Sequence, residues 1–444
     1  MKKLPEFEQN TPAIPPALRN YPSKLFVETT TSCNLGCFMC VKQTGDCGII
    51  EGEMPLKTFA ALEAALPRAE ALILNGVGEP LLHPQLETFI ARAKKLMPSG
   101  SWVGFQSNGL LLNDLRARAL LEAGLDRICI SVDAVTPEML RKMREGAEIT
   151  GLGRAFEALT KAKVSVGRPD FQIGVEIVIM RSNLAELPDT LKWAASRGAT
   201  FALVSHVLPY AEKHAAESVY ESCSGQAISL LYKWREKAAA VGVNIDQYPR
   251  IVWNYTKSPA EQKVVEFVDK LKADAEQQQV FLDMKKLFLV DTAWLKKVDK
   301  IFTEAARIAK KEGLELNLPE VVLKENRRCE FVEDGSAFFS WQGDVHPCYF
   351  LWHNYHCFAS GWAQQVRSRV FGNLNDQPIL EIWNSPEFKT FRENVTRYDY
   401  PYCSGCGLAP CDYVQTEKFE QDCHINSEPC GSCLWCMGLF QCLR

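Results

Sequence analysis

Three cysteines stand in the segment Cys33-Asn-Leu-Gly-Cys37-Phe-Met-Cys40, a CxxxCxxC spacing. Three thiolates this close along a chain can wrap three irons of a cubane iron–sulfur cluster, leaving the fourth iron open to a small-molecule ligand. A structural zinc site is normally closed by four ligands, and the nearest further thiol is Cys47. Of the 17 cysteines, 11 lie from Cys329 to Cys442, and only Cys47, Cys129 and Cys223 lie elsewhere. Chemistry based on thiol ligands is therefore concentrated at two places. The short spacings point to metal rather than disulfides. No stretch approaches the ~18 to 20 apolar residues of a membrane helix and no signal-peptide pattern is seen, so a reducing cytoplasm is the expected location.

These groups need a scaffold. From Ser23 to about Leu208, short β-branched runs alternate with amphipathic stretches, the pattern of βα units around a parallel sheet. Six strands are expected, over Lys24 to Glu28, Ala71 to Asn75, Trp102 to Gln106, Arg127 to Val132, Gln172 to Ile179 and Thr200 to Ser205. The intervening helices include Leu56 to Leu66, Leu86 to Leu96, Asn113 to Ala123 and Leu184 to Arg197, with Gly124 and Gly198 as stops. In such sheets functional loops follow the carboxyl ends of strands, which is where the first cysteines fall. The fold class is thus α/β. A chain of 444 residues needs more than one core, and four segments are expected: a tail (1–22), a core (23–209), a helical insert (210–328) and a cysteine-rich domain (329–444). A net charge of −4 with 47% hydrophobic residues gives no basic excess to favour nucleic acid.

The companions of the first cluster sharpen the chemistry. Gly76-Val77-Gly78-Glu79-Pro80 follows the second strand, Ser107-Asn108-Gly109 the third, and Ser131-Val-Asp133 the fourth. Together with the CxxxCxxC loop after strand one, this ordered series resembles the radical S-adenosylmethionine (SAM) superfamily. The resemblance implies a partial (β/α)6 TIM-like barrel whose Cys33, Cys37 and Cys40 hold a [4Fe-4S] cluster. It implies that Gly76, Gly78, Glu79, Ser107, Asn108, Ser131 and Asp133 contact SAM, and that reductive cleavage of SAM yields a deoxyadenosyl radical. Alone, Asn108-Gly109 would read as a turn, Asn183 as the cap of the Leu184 helix, and Arg181 as a solvated or SAM-contacting arginine. Cys129 and Cys223 read as buried inert thiols.

From Cys329 onward, the Trp341-Gln-Gly-Asp-Val-His-Pro-Cys348 segment, Phe371-Gly-Asn-Leu, Leu380-Glu-Ile-Trp-Asn-Ser-Pro and Cys403-Ser-Gly-Cys406 resemble, in order, a SPASM domain. That resemblance implies one or two auxiliary [4Fe-4S] clusters. Cys411 falls one residue short of the family's spacing and Gln415 occupies the next cysteine position. The expected partition is Cys329, Cys348 and Cys423 for one cluster, and Cys403, Cys406, Cys411 and Cys442 for the other. Cys430, Cys433 and Cys436 exceed this need, as alternative ligands or a redox pair. A zinc ribbon is the competing metal site, and His346, His353, His356 and His424 are further ligand candidates.

The tail CGSCLWCMGLFQC resembles SPASM proteins regarded as metalloenzyme maturases, including those of tungsten-dependent aldehyde oxidoreductases. Three functions follow in order: a radical SAM maturase of a metalloenzyme, its cofactor or a precursor; an enzyme installing a crosslink or oxidation in a ribosomal peptide; and a non-enzymatic electron carrier or scaffold. The resemblance implies a protein or peptide substrate, with a tungsten or molybdenum oxidoreductase as the leading partner, and a low-potential donor such as ferredoxin or flavodoxin. The acid–base residues are not specified by the sequence.

Overall fold

A computed structural model describes residues 14–44, 47–406, 408, 411–415, 419–441 and 443. Its centre is a nine-stranded sheet. In chain order the strands are β1 (Lys24–Val27), β2 (Ala71–Ile73), β3 (Trp102–Ser107), β4 (Arg127–Ser131), β5 (Gln172–Ile179), β6 (Phe201–His206), β7 (Glu315–Asn317), β8 (Ser336–Phe339) and β9 (Val345–His346). They lie in the order β7-β6-β5-β4-β3-β2-β1-β8-β9, parallel throughout except that β9 runs antiparallel to β8. A parallel sheet of this kind, covered by helices, is the partial TIM-like barrel of the α/β class.

The strands form where β-branched and aromatic residues cluster, and their burial is nearly continuous, as expected for strands covered on both faces. The helices Leu86–Leu96 and Asp114–Glu122 follow the expected pattern, the second capped by Asn113, whose side chain accepts a hydrogen bond from the Arg116 amide. Gly124 and Gly198 adopt φ of 101° and 89°, values that favour glycine and end the preceding helices.

Two strands come from far along the chain. β8 pairs with β1 in register Lys24↔Ser336 to Val27↔Phe339, and β7 pairs with β6. The helix Thr292–Glu312, which precedes β7, contributes Val298, Ala305, Ile308 and Ala309 to the main core. By contrast, Gly225–Ala239, Pro259–Gln277 and Met284–Leu287 enclose a second core of Ile228, Leu231, Val264, Val268 and Leu287. Among the described residues no helix is long and apolar enough to cross a membrane.

Candidate active site

The chain leaving β1 turns through three buried threonines. Thr31 Oγ1 donates to the Ile50 carbonyl (2.9 Å) and accepts from the Gly52 amide (2.9 Å), pinning the ends of the cysteine loop. Within the loop, Gly36–Cys37 forms a two-residue antiparallel pairing with Arg144–Glu145, and the Cys40 amide donates to the Cys37 carbonyl at 3.0 Å. Cys33, Cys37 and Cys40 thereby reach one cleft of about 280 Å³, which Gly76, Gly78, Glu79, Ser107, Asn108 and Ser131 also line.

The loops after β2 and β3 are tied together by Glu79. Its Oε1 accepts from Ser107 Oγ (2.7 Å) and the Leu81 amide (3.1 Å), and its Oε2 from the Asn108 amide (2.7 Å). Burial pushes its carboxyl above the usual range, opposed by these hydrogen bonds. Asn108 Nδ2 in turn donates to Asn34 Oδ1 (2.7 Å), linking this loop to the cysteine loop. The glycines serve the protein's own packing. A Cβ on Gly78 would stand 2.4 Å from the Thr30 carbonyl oxygen, and one on Gly76 2.4 Å from Glu28 Cγ.

Asp133, expected from the resemblance to contact SAM, has partners within the protein. It is buried, absent from the cleft lining, and pairs with Arg144 Nε at 2.6 Å while accepting from the Val178 amide at 2.8 Å. Arg144 does line the cleft, with Nη1 3.8 Å from Cys37 Sγ. Burial raises the Cys37 thiol's affinity for its proton and pushes Cys40 up to about 11; Arg144 opposes this at Cys37. Asn183 does not cap its helix. Its side chain donates to the Asp133 and Val178 carbonyls (both 2.9 Å) and accepts from the Met180 amide (2.7 Å). Arg181 lies over the Trp294 ring, with Nε donating to the Ser218 carbonyl.

The carboxyl-terminal thiols separate into two groups. Cys423 lies within electrostatic reach of Cys406 and Cys411, and Cys403 within reach of Cys411 and Cys423. Cys430 and Cys433 instead adjoin Cys329, with Cys348 beside Cys430. The partition expected from the sequence puts Cys423 with Cys329 and Cys348; Cys423 has Cys406 and Cys411 within electrostatic reach, and Cys430 has Cys329 and Cys348. Cys442 lies outside the described residues. Among the described residues no three His, Cys, Asp or Glu side chains are grouped as they would be around a single metal ion.

Comparison with known proteins adds the family. The radical SAM superfamily matches residues 27–194, and SPASM, an iron-sulfur cluster-binding domain, matches residues 329–407. This chain is a radical SAM enzyme with a SPASM domain. It is 27% identical to the tungsten-containing aldehyde ferredoxin oxidoreductase cofactor-modifying protein of Pyrococcus furiosus, over 94% of this chain and 96% of that one. The AdoMet-dependent heme synthase of Methanosarcina barkeri is 23% identical over 91% of this chain and 97% of its own. Among solved structures, Streptococcus suis SuiB bound to precursor peptide SuiA shares the fold with TM-score 0.51 and 10% identity, covering 94% of this chain and 77% of that one.

A radical SAM–SPASM enzyme carries a [4Fe-4S] cluster, SAM and auxiliary clusters. The thiol-lined cleft fits the first two: three soft donors meet loops rich in hydrogen-bonding groups. Further lining residues had no motif to announce them: Asn75, Gln106, Arg144, Glu176, Tyr210 and Trp352. Alternation along β5 could have marked Glu176, a carboxylate inside an otherwise apolar strand.

Proposed function

We propose that the chain is a maturase that uses SAM-derived radical chemistry to modify a metalloenzyme, its cofactor or a precursor. The observation that carries this is the meeting of Cys33, Cys37 and Cys40 with Gly76, Gly78, Glu79, Ser107, Asn108 and Ser131 in one cleft. Cys33, Cys37 and Cys40 would hold a [4Fe-4S] cluster, which when bound would supply reductive cleavage of SAM and so the radical chemistry that takes a hydrogen atom from the substrate. The residues of the chain do the positioning. Glu79 fixes the relation between the SAM loops, and Arg144 offsets negative charge at Cys37. A low-potential ferredoxin or flavodoxin is the proposed donor, and a tungsten or molybdenum oxidoreductase the proposed partner. Similarity along nearly the full length of the Pyrococcus protein supports this over modification of a ribosomal peptide.

The test is anaerobic reconstitution with iron and sulfide, addition of SAM and a strong reductant, and quantification of deoxyadenosine. Wild type should produce it and Cys37→Ala should not. A fully iron-loaded wild type that releases none sinks the reading. Mass analysis of an oxidoreductase cofactor incubated with the active protein then tests the substrate class.

A further inference from the structure

The tail beyond the SPASM match carries a CxxC turn with no assigned role, and the structure shows what holds it. Cys430-Gly-Ser-Cys433 follows Pro429 in a tight 3-10 turn over Pro429–Ser432. Behind it the chain runs alongside residues 320–328. The Arg328 amide donates to the Cys436 carbonyl (2.9 Å), Lys324 to Met437 (3.1 Å) and Glu320 to Gly438 (3.0 Å). Leu434, Met437, Leu439 and Phe440 are buried in the main core. Ser432 Oγ accepts from Gln364 Nε2 at 2.6 Å, and a Cβ on Gly431 would stand 2.9 Å from the Pro401 carbonyl. The turn is therefore fixed from several directions, and the ladder on residues 320–328 ends next to Cys329.

Cys329, Cys348 and Cys433 line one cavity together with Phe26, Phe331 and Tyr349. Cys430 is within electrostatic reach of both Cys329 and Cys348, and Cys433 of Cys430 and Cys329. Four thiols from three distant segments so converge at or beside this cavity with no disulfide between them, the soft donor set that an iron–sulfur cluster takes. The other group, Cys403, Cys406, Cys411 and Cys423, is already four in number. It needs no thiol from the tail.

We propose that Cys430 and Cys433 complete a four-thiol auxiliary [4Fe-4S] site with Cys329 and Cys348, standing in for the ligand that Gln415 cannot supply. This rests on the reading of the SPASM region as cluster-binding and goes beyond it by naming the ligands and the coordination. With all four irons held by thiolates, no iron is left open for a substrate atom. The site is then built to store or pass an electron, in contrast to the three-thiol site at Cys33, Cys37 and Cys40. Cys436 also lies against Cys433, but its Sγ is taken up by the Cys433 carbonyl at 3.2 Å, and it stays outside the ligand set.

The experiment uses the full chain carrying Cys33→Ala, Cys37→Ala and Cys40→Ala, reconstituted anaerobically, with iron, sulfide and electron paramagnetic resonance as readouts. This background should hold roughly eight irons, in two clusters that are each held by four thiolates. Cys430→Ser or Cys433→Ser should each lower it to roughly four. Cys348→Ala with Cys433→Ser should lose no more than either alone, and Cys436→Ser should lose none. Full iron with an unaltered spectrum in both Cys430→Ser and Cys433→Ser overturns the assignment, with circular dichroism confirming that each variant is folded. A background protein that takes up no iron overturns the cluster-binding reading itself, a distinguishable result.

Discussion

Burial pushes the Glu176 carboxyl up to about 7, with Asp133 adding to the rise and Arg144 and Gln106 opposing it. A carboxyl that ionises near 4.5 when unfolded and near 7 when folded binds its proton more tightly in the folded state. Its contribution to stability is present at low pH and is lost as pH rises through that window. Glu176→Gln should therefore reduce the fall in Tm between pH 5 and pH 8, measured by calorimetry; an equal fall in both proteins contradicts this. Arg144 is the opposite case, a cation held by a buried anion. Arg144→Met leaves Asp133 unpaired in the interior and should cost about 3–5 kcal/mol in denaturant unfolding. Neither residue was legible in the sequence as part of the site. Arg144 reaches the cleft only because Gly36–Cys37 pairs with Arg144–Glu145, a contact of two residues across more than a hundred that leaves no periodicity. The cysteines and the Gly76 to Glu79 loop were legible because their chemistry depends on local spacing.

At the scale of elements, the loops proposed to hold SAM depend on backbone closeness. Gly78→Ala would press a methyl against the Thr30 and Ser32 carbonyls, at 2.4 and 2.5 Å, while Val77 beside it is partly exposed. SAM affinity, measured by equilibrium dialysis, should fall by at least about tenfold in Gly78→Ala, equivalent to about 1.4 kcal/mol, and change far less in Val77→Ala. β1 is also joined to the carboxyl-terminal region by side chains. Glu28, fully buried, accepts from His353 Nε2 at 3.1 Å and from the Val77 amide at 3.1 Å, so a SPASM-region histidine braces the Gly76 to Glu79 loop through one side chain. His353→Ala should lower global stability by about 1–3 kcal/mol, since it strips a hydrogen-bond partner from a buried side chain. The six strands from β1 to β6 were legible from their composition. β7 and β8 were not, because their partners β6 and β1 lie far away in sequence. The helix Ile149–Ser165 carries Gly151 and Gly153 near its start, which weakens its propensity signal.

At the scale of the molecule, the segment expected as a helical insert divides by packing. Residues 225–290 enclose their own core, whereas Thr292–Glu312 and β7 are built into the barrel. Glu221 and Asp291 lie within electrostatic reach of each other, so the ends of the satellite are adjacent. Replacing residues 225–290 with a short linker should leave a folded protein that still cleaves SAM, assayed as deoxyadenosine. If turnover of the protein substrate is lost alongside, the satellite is a docking surface.

The pairing of β1 with β8 also has a consequence for how the protein is made. Strand Lys24–Val27 leaves the ribosome long before Ser336–Phe339, and at ordinary rates of synthesis the interval is on the order of 15 to 60 s. For that time one edge of an apolar strand has no neighbour, while the cysteine loop attached to it is already translated. Premature termination before residue 336 would make the exposure permanent. Such fragments should accumulate as aggregates, and slower elongation should lower the soluble yield of the full chain.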